Sequence, residues 1–158
     1  MTVPSGAASI GRKACIPNPD LKLLEFLIGD WRTVGRHPML PGKELPGMTR
    51  FEWHEGGAFL LMRSQVDEPD FPDGVAIIGS NKAADTFAMI YFDERAVSRT
   101  MAVTVDEQCL SWRRNDPDFA QSCTIVAEGH DRLVSNGRMS KDGGPWTDDL
   151  SQTFFRER

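Results

Sequence analysis

Along this chain the apolar positions change rhythm once. Leu21, Leu23, Leu24, Phe26, Leu27 and Ile28 crowd into one short stretch, which predicts a helix over roughly Leu21 to Ile28. Asn18 or Asp20 would cap it, and Gly29 would supply the permissive backbone at its end. Its apolar stripe is too wide for a free surface helix and predicts a lid or plug. From Asp30 onward the pattern is alternation, punctuated by glycine, proline and Asx clusters, which reads as short strands.

About ten such runs can be counted on that pattern. They are Trp31 to Arg36, Met48 to His54, Ala58 to Val66, Val75 to Ser80, Thr86 to Phe92, Arg99 to Val105, Gln108 to Arg114, Gln121 to Ala127, Arg132 to Met139 and Leu150 to Arg156. His54-Glu55-Gly56-Gly57, Val105-Asp106-Glu107-Gln108, Asn115-Asp116-Pro117-Asp118 and Glu128-Gly129-His130-Asp131 have the length and composition of hairpin links. Consecutive hairpins make an antiparallel meander, and closing a meander of this size removes both exposed edges. A barrel of more than about eight strands can keep a cavity. A sandwich satisfies the same pattern. The expected fold is therefore all-β, an antiparallel up-and-down barrel of about ten strands with one short N-terminal helix. Residues 1–19, small and proline-rich, are expected to form a flexible tail, and residues 20–158 a single domain.

Composition narrows the partners. The 158 residues are 40% hydrophobic and 26% charged, enough for one core. A formal net charge of −5 with mixed signs leaves no basic face for nucleic acid and disfavours anionic membranes. Three cysteines, Cys15, Cys109 and Cys123, give neither a paired disulfide framework nor a zinc spacing. No secretory pattern opens the chain, and no apolar run approaches the roughly 20 residues of a bilayer span, so the expected location is cytoplasmic. The expected assembly is a monomer or homodimer.

Alternation also nominates a lining for the barrel. Phe51 and Trp53 form one inward set, Phe87, Met89 and Tyr91 a second, Leu110 and Trp112 a third, and Met101, Val103 and Val105 an adaptable apolar wall. The alternative is an interior filled by these same aromatics. Arg63 shares a strand face with Phe59, Leu61 and Gln65. If that face is inward, Arg63 needs a ligand carboxylate or an internal acid. If Leu60, Met62 and Val66 face inward, it is a solvated residue. The candidate ligand-binding residues are thus Phe51, Trp53, Arg63, Met89, Tyr91, Met101 and Trp112.

Other constellations are weak. The Asp67 to Gly74 loop lacks the ligand order of a calcium loop and reads as an acidic mobile rim. Gly143-Gly144-Pro145-Trp146 lacks the continuation of a phosphate loop, and no serine sits in a nucleophile elbow. Cys109 and Cys123 fall in strands and read as small core residues. No metal site and no catalytic residue is assigned.

Gly29-Asp30-Trp31 after a short helix, about ten antiparallel runs and a last strand ending Phe154-Phe155-Arg156-Glu157-Arg158 together resemble the calycin superfamily of lipocalins and fatty-acid-binding proteins. Glu55-Gly56-Gly57-Ala58-Phe59-Leu60 is similar to a bacterial branch related to the nitrobindin-like haem barrels. The calycin resemblance implies that Trp31 plugs one barrel end beneath an arginine of the last strand, Arg156 or Arg158, as a structural closure. The nitrobindin-like pattern has a second glycine two residues after the tryptophan and a late haem-ligating histidine. Here Thr33 holds the glycine position and no histidine follows His130. No cofactor is therefore assigned, and haem stands only as an alternative.

Two function classes follow. One is a non-enzymatic carrier or sensor enclosing a small apolar or amphipathic ligand. The other is a small cavity enzyme of isomerase or cyclase type, with Tyr91 as acid and His54 or Asp93 as base. An α+β cone for such an enzyme would need about three N-terminal helices where this chain offers one.

Overall fold

Leu21, Leu24 and Leu27 are each fully buried and recur every third residue, the period of a 3-10 helix. The computed structural model describes residues 15–81 and 84–158, and there the expected short helix is a 3-10 helix over Pro19–Leu27. A repeat of three keeps these leucines on one line, where 3.6 residues per turn would swing them apart. Leu23, off that line, is half exposed. Of the two candidate caps Asn18 is the one used, its side chain accepting from the Asp20 amide at 3.0 Å. Of the expected tail, residues 1–14 lie outside the described residues, while the Asn18 amide donates to the Gly57 carbonyl at 2.9 Å.

The strands are β1 (Gly29–Arg36), β2 (Leu45–His54), β3 (Phe59–Val66), β4 (Gly74–Asn81), β5 (Thr86–Asp93), β6 (Val97–Asp106), β7 (Cys109–Arg114), β8 (Phe119–Ala127), β9 (Arg132–Lys141) and β10 (Thr147–Arg156). Every strand pairs antiparallel with its sequence neighbours, and β1 pairs with β10 to close the barrel, in the register Trp31↔Arg156 to Arg36↔Ser151. One irregularity interrupts the β9–β10 ladder, between Asp148 and Ser151. Among the described residues no helix is long and apolar enough to cross a membrane.

The 3-10 helix caps one end of the barrel. Its leucines pack with Trp31, Phe51, Leu60, Ile78 and Leu133, all buried. Trp31 is wholly buried and donates from Nε1 to the Leu27 carbonyl at 2.7 Å. The Arg156 guanidinium lies 4.1 Å from the centre of the Trp31 ring and donates to the carbonyls of Ile28 (2.6 Å), Phe26 (3.2 Å) and His130 (3.0 Å). One side chain thus satisfies carbonyls at the end of the 3-10 helix while stacking on an aromatic face. Gly29 makes room for it: φ is +137°, and a Cβ there would lie 2.7 Å from an Arg156 nitrogen. Arg158, the other candidate for closure, takes no part. Its side chain is 90% exposed and reaches only Asp131, at 3.5 Å, because it lies beyond the end of β10.

Candidate functional site

The interior is packed at the helix end and open at the other. The open end gathers the 37–44 loop, the 67–73 loop and the turns after β5, β7 and β9. There a cavity of about 590 Å³ runs into the barrel, within the range of small-molecule sites. Its apolar wall includes Met62, Met89, Met101, Trp112, Ile125 and Phe154. Small or polar positions, Thr49, Ser64, Ser135, Gly137 and Gln152, share the lining. These short inward side chains leave space that large ones fill at the closed end, so the cavity follows from residue size at alternating positions.

Polar side chains ring the mouth. The Tyr91 hydroxyl donates to Asp93 at 3.0 Å, and Asp93 accepts three times from Arg95, from the guanidinium at 3.3 and 2.7 Å and from the backbone amide at 3.0 Å. Burial, reinforced by the Asp93 carboxylate, pushes the Tyr91 phenol up to about 12. The Arg95 hydrogen bond draws Asp93 down to about 2. Arg99 donates to the Gln121 side-chain oxygen and stacks over Phe119 at 5.1 Å. Desolvation, then the nearby charges of Arg114 and Arg95, hold its guanidinium below the usual arginine range. Gln121 in turn donates to Asp149 at 3.0 Å.

His37 completes this ring. Its Nδ1 accepts from the Met39 amide at 3.1 Å, which leaves Nε2–H to donate to Asp149 at 3.0 Å. Phe71 meets the imidazole edge-on at 5.5 Å. The His37–Asp149 pair divides the cavity from an outer cleft of about 520 Å³ that also touches Arg36, Lys43 and Arg138.

Of the sequence candidates, the structure brings Met89, Tyr91, Met101 and Trp112 together on the cavity wall. Phe51 and Trp53 point inward as expected but sit at the helix end, where Phe51 is fully buried and Trp53 packs against the core. They fill the barrel instead of lining its space, because the alternation that fixes a side chain's face says nothing of its height along the axis. Arg63 lies outside, 61% exposed and 3.5 Å from Glu52. Met62, Ser64 and Val66 of the same strand line the cavity, so the opposite parity of β3 is the inward one.

Phe154 is the inward member of its pair; Phe155 lies outside, under Arg32 at 4.6 Å. Cys123 faces the cavity, with burial pushing its thiol up to about 12, a poor nucleophile. Among the described residues no three His, Cys, Asp or Glu side chains gather as metal ligands. Sequence reasoning missed Arg99, Gln121 and the His37–Asp149 pair. For Arg99 the signal was present: it shares the parity of Met101 and Val103, both buried inside.

No protein-family model matches the sequence, and neither does any curated protein. Solved structures do match. The chain is similar over 92% of its length to the whole of Rv2717c from M. tuberculosis, with 16% identity and a TM-score of 0.64. It is also similar to a DUF3598-family protein of unknown function from Nostoc punctiforme (12% identity, TM-score 0.58), covering 97% of this chain and 53% of that one. A third is the S-type phycobiliprotein lyase from Guillardia theta, with 11% identity, a TM-score of 0.58, and coverage of 85% of this chain and 90% of the lyase. At these identities the likeness speaks for the barrel fold.

Proposed function

We propose that this protein is a calycin-like binding barrel that encloses a small apolar or amphipathic ligand, as a carrier or sensor without catalysis. The observation that carries the reading is the cavity of about 590 Å³, open at one end and walled by methionines, Trp112 and Phe154. Methionine and tryptophan walls suit an apolar body of irregular shape, and burying it would contribute roughly 25 cal/mol per Å² before the costs of association. That a phycobiliprotein lyase shares the fold is compatible with a small-molecule role, though fold alone does not choose between binding and catalysis.

The acid–base pair weighed for an enzyme is badly tuned. Tyr91 at about 12 is a weak acid at neutral pH, and Asp93 at about 2, tied to Arg95, is a weak base. His54 stands outside the cavity beside Glu55, at 3.8 Å. The residues do not fit haem either. Of the three histidines only His37 lines the cavity, and both its ring nitrogens are engaged.

The test is native mass spectrometry of protein purified from its own cells, paired with fluorescence titration against apolar and amphipathic compounds. A co-purified small molecule, or a response lost in Trp112→Phe, supports the reading. Bare protein together with an unresponsive Trp112 overturns it.

A further inference from the structure

Two sets of hydrogen-bonding side chains line the cavity, and only one of them is engaged. On β5, β6 and β8, Tyr91 donates to Asp93, Arg99 to Gln121, and Gln121 to Asp149. The second set is neutral and lies on the other half of the closed barrel, among the contiguous strands β3, β2, β1, β10 and β9. Thr49 stands in direct register with Ser64, and Gln152 with Ser135, and all four line the cavity. Thr49 and Ser135 are only 3% and 4% exposed, yet neither hydroxyl has a hydrogen-bond partner among the described residues. Thr33, wholly buried on the intervening β1, is likewise unmet. Such hydroxyls both donate and accept, and leaving them unmet away from bulk water is costly.

We infer that the cavity selects uncharged ring compounds with oxygens along one edge, that edge meeting Thr49, Ser64, Ser135 and Gln152 and the bare edge meeting Met101 and Trp112. The inference rests on the binding-barrel reading and names the ligand class of the same site. The strands β3, β2, β1, β10 and β9 make half of the closed barrel, so they face the half that carries Met89, Met101 and Trp112. The two polar pairs are separated by β1, which sets β2 and β10 roughly two strand spacings of about 4.8 Å apart. Oxygens at two separated points of a rigid ring reach both pairs, whereas a single polar head reaches one. Because all four groups are neutral, a charge laid against them would be buried without a counter-charge, and uncharged oxygens are favoured. A ligand lacking those oxygens leaves the hydroxyls unpaired once water is displaced, and that is the source of the selectivity.

Naphthalene-2,7-diol carries both hydroxyls on one long edge, naphthalene-2,6-diol carries them on opposite edges, and both are uncharged at neutral pH. Binding of these isomers and of naphthalene is measured by calorimetry, with Trp112 fluorescence and melting temperature followed in parallel. The proteins compared are the unaltered chain, Thr49→Val, Ser135→Ala, the double variant and Thr104→Val, whose site is exposed on β6. The 2,7 isomer should bind about tenfold tighter than the 2,6 isomer. Each single variant should narrow that ratio, the double variant should erase it, and Thr104→Val should leave it unchanged. Melting temperatures of Thr49→Val and Ser135→Ala should not fall, because each removes a hydroxyl that the folded protein leaves unmet. A ratio lost only together with a fall in melting temperature would mark the hydroxyls as structural and overturn the inference. Equal affinities for the isomers, or a ratio that survives the double variant, would also overturn it, and with naphthalene bound and Trp112 responding the cavity reading would stand. None of the three compounds binding, with Trp112 unresponsive, would overturn both.

Discussion

Arg156 gathers more interactions than any other side chain at the closed end: one aromatic face and three carbonyls. Truncation leaves those carbonyls to find other partners and strips the Trp31 ring of its cover, so Arg156→Ala should cost about 2–4 kcal/mol. Arg158→Ala, two residues on and exposed, should stay within about 0.5 kcal/mol. Urea denaturation of both distinguishes them, and equal midpoints would refute the closure role. Tyr91 offers a second measurement, since it is the single tyrosine of the chain. Its ionisation, followed in the ultraviolet, should centre at about 12 in the folded protein and near its ordinary value of 10 after unfolding. Because the folded value is the higher one, the stability gained is complete below pH 10 and lost as pH rises towards 12. Tyr91→Phe should therefore show a shallower loss of stability across that window.

At the scale of elements, the helix teaches why sequence reading stopped short. Its six apolar residues look like a broad α-helical stripe, and only the burial of Leu21, Leu24 and Leu27 reveals a period of three. Leu24→Ala should cost about 2–5 kcal/mol, while Leu23→Ala should cost little. If the two cost alike, the period-three packing is wrong. The strands were legible because alternation and turn residues are local signals. Their ends were less so: β2 starts at Leu45 and β10 at Thr147, each three residues before its alternating run, where ladder pairing to a neighbour continues through residues of no particular pattern. The site was half legible. Parity placed Met89, Met101 and Trp112 on the wall, and the same rule puts Arg99 there. The His37–Asp149 and Gln121–Asp149 contacts join residues 112 and 28 positions apart, and no local signal reports them.

For the molecule as a whole, the division into a packed half and an open half is the property on which binding depends, and one substitution made twice can test it. Ile78 is fully buried in the packed half, away from the cavity, and Ile125 is equally shielded from solvent but lines the cavity wall. Ring and methylene atoms added at Ile78 have no space to enter, so Ile78→Phe should force neighbours off their rotamers and cost about 1–3 kcal/mol. At Ile125 the same added volume projects into a space of about 590 Å³. Ile125→Phe should therefore change the unfolding free energy by less than about 1 kcal/mol, with m-values unchanged. Ligand binding should move the other way: Ile78→Phe leaves the cavity its shape, whereas Ile125→Phe shortens it and weakens the longest apolar ligands first. Equal penalties at the two positions would mean that the interior is filled throughout, and the binding reading would fall with that result.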